Sequence, residues 1–218
     1  MQRRNYGKIR TAVIYGDSIS TRNHGAGGYE ELLKEEMGIQ TIYNHAIGSS
    51  GLCTETPDNL VDLLEKEGRV HPEADLIIIW HGTNDWYWGA DVGRKETKNT
   101  STFLGALCHI VKILEKSCPT ANLVWLTPIY RCEAPNGLEV AGEAYVTPNL
   151  VGKTQKDFTD ALIEASGELC FPVIDMRRLA NINAANAQVY LEDGVHPNRQ
   201  GYLRINDILC TGLDLMAF

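Results

Sequence analysis

The chain has 218 residues, of which 44% are hydrophobic, 22% are charged and 8% are aromatic. This composition is that of a folded globular protein, and it excludes extensive disorder, a collagen-like repeat and a coiled coil. Twenty lysine and arginine residues against 28 aspartate and glutamate residues give a net charge of −8, which argues against nucleic acid or an anionic membrane as the main partner.

Five short apolar runs rich in β-branched residues predict β-strands, and stretches with helical spacing lie between them. The predicted strands are residues 11–15, 39–43, 76–80, 123–126 and 172–174. The predicted helices are residues 29–37, 58–67, 101–116, 150–169 and 199–215. Residues 131–147 are predicted to form a long surface loop. The alternation of strands and helices indicates a single α/β domain over residues 1–218, with a mostly parallel sheet of five strands.

The cysteines point to a reducing environment. Six cysteines are too few for a disulfide scaffold, and none belongs to a C-x-x-C pair. Cys108, Cys170 and Cys210 lie in apolar stretches, so we predict that they pack as small core hydrophobes. Neither a signal-peptide pattern nor a run of about 18 apolar residues occurs. We therefore expect a cytoplasmic protein without a membrane partner.

The carboxyl ends of parallel strands are where ligands bind in open α/β sheets, so the residues after each strand are the candidates for chemistry. Ser18 follows the first strand in a Gly-Asp-Ser sequence at residues 16–18. Its hydroxyl could act as a nucleophile and its N–H could hold an oxyanion. Taken alone, a serine at this position is more typical of a turn or a helix N-cap than of a nucleophile.

Two further segments offer hydrogen-bond donors. The loop after the second strand contains Gly48 and Ser49, whose backbone N–H groups could approach a ligand closely, although an ordinary connecting loop would look the same. Asn84 follows the third strand, and its side-chain amide can hold a developing oxyanion at any working pH. Trp86 and Trp88 follow closely and are predicted to line a pocket, with simple packing of the rings as the alternative.

Near the end of the chain, Asp193 precedes His196 by three residues. A carboxylate at this spacing on a turn can reach the imidazole Nδ1, fix its tautomer and stabilise its protonated form. A surface turn before a helix is the alternative. Asp17 and Asp85, which lie inside the motifs described above, are interpreted as structural residues that hold turns and backbone amides.

In combination, these segments resemble the conserved blocks of the SGNH hydrolases, also called GDSL esterases and lipases. The resemblance rests on Gly-Asp-Ser at residues 16–18, the loop at 48–51, Gly-Thr-Asn-Asp at 82–85 and Asp-Gly-Val-His-Pro-Asn at 193–198. It implies a flavodoxin-like three-layer α/β/α sandwich and ester hydrolysis without a cofactor or a metal.

Residue by residue, the resemblance implies a nucleophile at Ser18, a base at His196, its partner at Asp193 and an oxyanion donor at Asn84. The second block departs from the family pattern, because the family's oxyanion glycine falls on Ser49, beside Gly48. The backbone donor is therefore assigned to the turn formed by these two residues.

The sequence thus predicts a serine esterase for short acyl groups, acetyl above all, with acetylated carbohydrates among its substrates. Trp86, Trp88 and Arg131 are predicted to bind the substrate, with Arg131 placed to meet an acidic group. The alternatives are a non-catalytic carbohydrate-binding protein, a thioesterase or a lysophospholipase, and a nucleophile at Cys53. No phosphate-loop or H-E-x-x-H motif occurs, which disfavours nucleotide-binding and metal-dependent alternatives.

Overall fold

The computed structural model describes residues 9–216. At the centre lies a parallel sheet of five strands in the order β2-β1-β3-β4-β7, the flavodoxin-like order, beside a small antiparallel pair, β5-β6. The strands in the described residues are β1 (Thr11–Gly16), β2 (Thr41–Asn44), β3 (Leu76–Trp80), β4 (Asn122–Leu126), β5 (Cys132–Glu133), β6 (Gly142–Glu143) and β7 (Val173–Ile174). The predicted five-stranded sheet is confirmed, and its strand ends lie within two residues of the predicted ones.

Helices connect the strands. In the described residues they are α1 (Glu30–Met37), α2 (Leu60–Glu65), α3 (Thr83–Trp88), α4 (Phe103–Ser117), α5 (Gln155–Leu169), α6 (Met176–Leu179), α7 (Ala187–Tyr190) and α8 (Arg199–Leu215), with 3₁₀ turns at Ser18–Ser20 and Lys95–Thr97. None of the helices within residues 9–216 has both the length and the apolar character that a bilayer-spanning helix needs.

The sheet is covered on both faces, which gives the predicted three-layer sandwich. Val13 and Tyr15 of β1 point into a core shared with α2, α4 and α5, whereas Ala12 and Ile14 point into a second core shared with α1 and α8. All four side chains are fully buried. This two-sided burial explains why β3 is a continuous apolar run instead of an alternating one.

Local sequence signals fix the helix ends. Gly38 terminates α1 in the left-handed conformation (φ 69°), as expected for a glycine at this position. Helix α5 begins at Gln155 instead of residue 150, because Thr154 and Asp157 form a capping box immediately before it. Asn198 caps α8 by accepting hydrogen bonds from the backbone N–H groups of Gln200 and Gly201, and the helix begins at residue 199, as predicted.

Three further features differ from the sequence predictions. The predicted loop at 131–147 contains the β5-β6 pair, and its first residue is buried. Helix α3 forms directly after β3, where no helix was predicted. Cys210 is buried as predicted, but Cys108 is only half-buried and Cys170 is exposed. The prediction for Cys170 is wrong because this residue ends α5 in a left-handed conformation (φ 56°) at the surface.

Candidate active site

Ser18 lies directly after β1, at the carboxyl-end edge of the sheet. It begins the 3₁₀ turn Ser18–Ser20, which Asp17 caps by accepting a hydrogen bond from the Ile19 N–H at 2.9 Å. The first residue of such a turn has no intrahelical acceptor for its backbone N–H. Ser18 therefore offers a hydroxyl and a backbone donor at the same point of the sheet edge.

Asp17 is buried beneath this turn, and its predicted structural role is confirmed by the hydrogen bond from Ile19. Burial raises the pKa of Asp17 to about 7, against the opposing effects of that hydrogen bond and of the positive charge of Arg131. The buried carboxylate Asp85 adds to the upward shift. The turn that carries Ser18 thus rests on an acidic group that is sensitive to pH near neutrality.

His196 and Asp193 lie in the loop between α7 and α8, and this loop is tightly bonded to itself. Asp193 Oδ1 accepts hydrogen bonds from the backbone N–H groups of Val195 (2.9 Å) and His196 (2.8 Å). Glu192 N–H in turn donates to the His196 carbonyl at 2.8 Å. These contacts hold the Asp193 carboxylate and the backbone of His196 in place.

The three side chains form one hydrogen-bonded chain. His196 Nδ1 lies 2.7 Å from Asp193 Oδ2, and because a carboxylate only accepts, Nδ1 is the donor. Nε2 is then the acceptor, and the Ser18 hydroxyl donates to it at 2.9 Å. Burial alone raises the pKa of Asp193, but the hydrogen bonds from His196 and Val195 hold that pKa below its usual range. The carboxylate stays ionised, and the geometry suits transfer of the serine proton to the imidazole.

A second histidine, which the sequence reasoning missed, packs against His196. The ring of His24 stacks on that of His196, with centroids 3.9 Å apart and an angle of 7° between the planes. His24 Nδ1 lies 3.0 Å from Glu192 Oε2, and the other oxygen of Glu192 accepts from the Gly25 N–H at 2.9 Å. His24 thus covers one face of the imidazole. Only the position of Glu192 beside Asp193 hinted at this contact.

The loop after β2 runs alongside the end of β1. His45 N–H donates to the Ile14 carbonyl at 2.9 Å, and Ile47 N–H donates to the Gly16 carbonyl at 3.0 Å. The chain then turns through Gly48 and Ser49, and Ser49 takes a left-handed conformation (φ 62°). Both turn residues are exposed. Within residues 9–216, neither of their backbone N–H groups donates to a protein acceptor.

Asn84 lies in the first turn of α3 and is buried. Its amide nitrogen donates to the Ser50 carbonyl at 2.9 Å, which ties α3 to the loop beside β1. A primary amide carries two N–H groups, so one of them remains for a ligand. The oxygen end accepts a hydrogen bond from Arg131 Nη1 at 3.0 Å. The structure therefore brings Asn84 next to the same loop that contains Gly48 and Ser49.

Asp85 anchors that loop from below. Its carboxylate accepts hydrogen bonds from the backbone N–H groups of Leu52 (2.9 and 3.0 Å) and Cys53 (3.0 Å), which confirms its predicted structural role. Burial raises the pKa of the Cys53 thiol, and the nearby Asp85 raises it further. A nucleophile at Cys53 is therefore disfavoured, because the thiolate and not the thiol is the reactive form.

The two tryptophans that were predicted to bind the substrate occupy different environments. Trp86 is fully buried, and its indole N–H donates to the Thr147 carbonyl at 2.8 Å. The expectation that Trp86 contacts the substrate is therefore corrected, because its ring belongs to the core. Trp88 is partly exposed, and its indole N–H donates to the Ser49 carbonyl at 2.9 Å. Trp88 thus lies at the edge of the predicted oxyanion loop.

Arg131 is also placed differently from expectation. Its side chain is only 7% exposed and forms an ion pair with Glu133, so it is not available to meet an acidic group of a substrate. The carbon at the centre of its guanidinium lies 4.7 Å from the ring centroid of Tyr87 and 5.5 Å from that of Trp86. The predicted role in substrate binding is corrected: Arg131 contacts Asn84 and not the surface.

A flavodoxin-like sheet that carries a hydrogen-bonded serine, histidine and aspartate at its carboxyl edge is typical of the serine-hydrolase class. Residues 14–204 match the model of the GDSL-like Lipase/Acylhydrolase family, and the chain belongs to this family. No curated protein matches the chain.

Solved structures share the fold over almost the whole chain. A protein from Lactobacillus plantarum has 22% identity and a TM-score of 0.81, covering 96% of this chain and 98% of its own. A lipase/acylhydrolase from Enterococcus faecalis has 17% identity and a TM-score of 0.62, with 94% and 95% covered. An acetylxylan esterase from Geobacillus stearothermophilus, solved as a catalytic mutant, has 16% identity and a TM-score of 0.60, with 94% of each chain covered.

Proposed function

We propose that this protein is a serine esterase that hydrolyses short-chain carboxylic esters, acetyl esters above all, through an acyl-enzyme. The observation that carries the proposal is the hydrogen-bonded chain from Ser18 Oγ through His196 to Asp193, with links of 2.9 and 2.7 Å. These distances lie within the range that a nucleophile and its general base require.

In the proposed reaction, Ser18 Oγ attacks the ester carbonyl carbon while His196 Nε2 accepts the hydroxyl proton. The oxyanion of the tetrahedral intermediate is held by the N–H of Ser18, by an N–H of the Gly48-Ser49 turn and by the free N–H of the Asn84 amide. The carbon–oxygen bond to the alcohol then breaks, and His196 returns its proton to the leaving oxygen. The Asp193 carboxylate stabilises the protonated imidazole throughout.

A water molecule completes the cycle. His196 removes one proton from the water, whose oxygen attacks the acyl-enzyme carbonyl and forms a second tetrahedral intermediate. This intermediate expels Ser18 Oγ, which takes back the proton from His196, and the carboxylic acid is released. No redox partner is needed, because each half-reaction exchanges one carbon–oxygen bond of the acyl group for another, and His196 gives up each proton that it accepts within the same half-reaction.

The choice of acetyl esters, with acetylated carbohydrates among them, rests on two observations. Trp88 is a partly exposed aromatic side chain beside the proposed oxyanion turn, and flat aromatic rings suit the faces of sugars. A structural neighbour is an acetylxylan esterase. Replacing Trp88 with alanine is expected to raise KM for an acetylated xylo-oligosaccharide while leaving KM for p-nitrophenyl acetate within about twofold.

A second candidate is a thioesterase or lysophospholipase that takes longer acyl chains. It is favoured by exposed aliphatic side chains concentrated between residues 138 and 151, namely Leu138, Val140, Val146, Leu150 and Val151. The residues just before this segment approach the site, because Asn136 N–H donates to the Tyr87 carbonyl and Cys132 N–H donates to the Gly194 carbonyl, both at 2.9 Å. Aliphatic side chains beside a site can receive an acyl chain.

The decisive experiment compares wild type with Ser18→Ala on p-nitrophenyl esters of two to twelve carbons and on acetylated sugars. A serine esterase requires that Ser18→Ala abolish turnover and that a fluorophosphonate probe label wild type but not the variant. Highest kcat/KM on acetyl esters supports the first candidate, and a maximum at eight carbons or more supports the second. Sugar binding without labelling or turnover would replace both with a non-catalytic carbohydrate-binding protein.

A cytoplasmic location is part of the same proposal. It is supported by the free state of all six cysteines, two of which, Cys132 and Cys170, are exposed. Exposed thiols remain reduced in a compartment maintained by glutathione and thioredoxin. Fractionation of cells that express the chain from its native gene tests this location.

A further inference from the structure

Arg131 is a buried cation at the edge of the site, and its contacts reach the group proposed to hold the oxyanion. Its side chain is 7% exposed, whereas that of its partner Glu133 is 39% exposed. Arg131 Nε donates to Glu133 Oε2 at 3.0 Å, and Nη2 contacts the same oxygen. Glu133 thus holds one side of the guanidinium and leaves Nη1 to face the interior.

The inner nitrogen of the guanidinium is directed at α3. Arg131 Nη1 lies 3.0 Å from Asn84 Oδ1 and 3.3 Å from both the carbonyl oxygen and the hydroxyl oxygen of Thr83. The Thr83 hydroxyl also accepts a hydrogen bond from Gln155 Nε2 at 3.0 Å. Tyr87 and Trp86 pack against the guanidinium, so its plane is held by rings as well as by hydrogen bonds.

These contacts decide which end of the Asn84 amide faces the site. A guanidinium only donates hydrogen bonds, so the amide atom beside Arg131 must be the oxygen. The Ser50 carbonyl only accepts, so the amide atom beside it must be the nitrogen. A flipped amide would set donor against donor and acceptor against acceptor at the two ends. Arg131 and Ser50 together hold the amide with its N–H groups toward the loop that carries Gly48 and Ser49.

The positive charge of Arg131 also favours binding of an oxyanion by the Asn84 amide. A cation on the amide oxygen withdraws electron density and makes the N–H groups at the other end stronger donors. In a buried setting the field of the guanidinium is weakly screened, which favours negative charge nearby. That field reaches the turn below Ser18, since Arg131 opposes the upward shift of the Asp17 pKa that burial causes.

We infer that Arg131 is a positioning residue for the oxyanion site: its guanidinium orients and polarises the Asn84 amide, and Glu133 holds the guanidinium in place. This inference rests on the proposed esterase function. Strand β5 begins directly after Arg131 and contains Glu133. By this inference, the strand contributes to transition-state stabilisation without contacting the substrate. A purely structural arginine, which only fills the space between α3 and β5, is the competing explanation.

A double-mutant cycle separates the two explanations. The variants are Arg131→Met, Asn84→Ala and the pair combined, measured as kcat and KM on the ester that wild type hydrolyses best. Asn84→Ala, which removes the donor, is expected to lower kcat by about 10²- to 10³-fold. Arg131→Met is expected to lower kcat by about 10- to 100-fold. In both variants KM is expected to stay within about threefold of wild type. Because Arg131 acts through Asn84, Arg131→Met is expected to cause less than a twofold further loss in the Asn84→Ala background.

Arg177 provides a matched control. Like Arg131, it is largely buried, pairs with a glutamate of the same antiparallel strand pair, Glu143, and lies over an aromatic ring, with Tyr145 4.5 Å away. The hydrogen bonds of its guanidinium go to Glu143 and to the Ile182 carbonyl, and not to Asn84. Arg177→Met is expected to lower the melting temperature as much as Arg131→Met does but to leave kcat within about twofold.

Arg131→Lys keeps the experiment decisive if Arg131→Met unfolds. A lysine ammonium keeps the positive charge but lacks the planar fork that reaches Glu133 and Asn84 together. We expect the folded lysine variant to lose about 5- to 20-fold in kcat, and the side-chain amide resonances of Asn84 in a ¹H–¹⁵N spectrum to shift. Unchanged resonances would overturn the inference, and so would equal losses of kcat in the two backgrounds of the cycle.

Failure of the inference is distinguishable from failure of the proposed function. If Ser18→Ala retains turnover, the serine-esterase proposal itself fails, and the inference, which rests on it, fails with it whatever the cycle gives. If Ser18→Ala is inactive but Arg131→Met loses kcat equally with and without Asn84, the esterase proposal stands and Arg131 is only structural.

Discussion

Replacing Asp193 with asparagine tests how the loop between α7 and α8 prepares His196. The change is nearly isosteric, but it turns one oxygen into an NH₂ group. Oδ1 accepts two backbone hydrogen bonds, from Val195 at 2.9 Å and from His196 at 2.8 Å. The asparagine oxygen is therefore expected to remain at that position, which places the new NH₂ group against His196 Nδ1.

This orientation stabilises the wrong tautomer of the imidazole. With an N–H donor facing it, Nδ1 must be the bare nitrogen, so Nε2 carries the proton and cannot accept one from Ser18. The opposite orientation leaves two N–H groups facing a donor, at a cost of about 1–3 kcal/mol each. A total of about 2–6 kcal/mol lowers the productive population by about 30- to 3 × 10⁴-fold.

Loss of the negative charge adds to this effect, because nothing then stabilises the protonated imidazole. We expect kcat of Asp193→Asn to fall by about 10³- to 10⁴-fold with KM little changed. Asp193→Ala also removes the charge but does not impose a tautomer, so it is expected to lose less than the asparagine variant. The assay is hydrolysis of p-nitrophenyl acetate at saturating substrate.

Asp157→Asn is the control for this experiment. Asp157 also accepts a hydrogen bond from the backbone three residues before it, at Thr154, but its partners include no histidine. The kcat of Asp157→Asn is expected to stay within about twofold of the wild-type value. Asp193 does not set the His196 tautomer if Asp193→Asn keeps more than about a tenth of wild-type kcat, or if Asp193→Ala loses more activity than Asp193→Asn while both remain folded.

Asn84, Asp85 and Asp17 are the positions of three further tests. Asn84→Ala is expected to bind a boronic-acid transition-state analogue about 10²- to 10³-fold more weakly while its KM barely changes, and unchanged inhibition would remove Asn84 from the oxyanion site. Asp85→Ala leaves the buried N–H groups of Leu52 and Cys53 unpaired, so urea unfolding is expected to show a loss of about 2–6 kcal/mol. The Asp17 pKa of about 7 lies above its ordinary 3.8, so the folded state binds this proton more tightly than the unfolded chain does. The contribution of Asp17 to the free energy of unfolding is fully present below about pH 4 and is lost as the pH rises through about 7. Urea unfolding at pH 4 and pH 8 is expected to show this loss of stability in wild type and not in Asp17→Asn.

The sequence alone determined the architecture and the positions of the polar residues at the sheet edge. Strand and helix periodicities are local properties, because burial of one or two faces of an element fixes the spacing of apolar residues along that element, and this spacing is visible in the sequence. The carboxyl ends of parallel strands lie at one edge of a sheet, so the sequence predicts that Ser18 and Asn84 lie close together. The Asp193–His196 pair is also local, since three residues separate its members.

Only the tertiary structure decided what lies around these residues. Arg131 and Asn84 are 47 positions apart, and nothing in the sequence near either one indicates that a guanidinium holds the amide. His24 and Glu192 are 168 positions apart, yet their contact places a second ring on His196. Trp86 and Trp88 have nearly the same sequence neighbourhood, and the packing of α3 against the core buries one ring and leaves the other partly exposed. Burial and long-range pairing depend on how whole elements pack together, whereas motif spacing shows only which groups the chain brings to the edge.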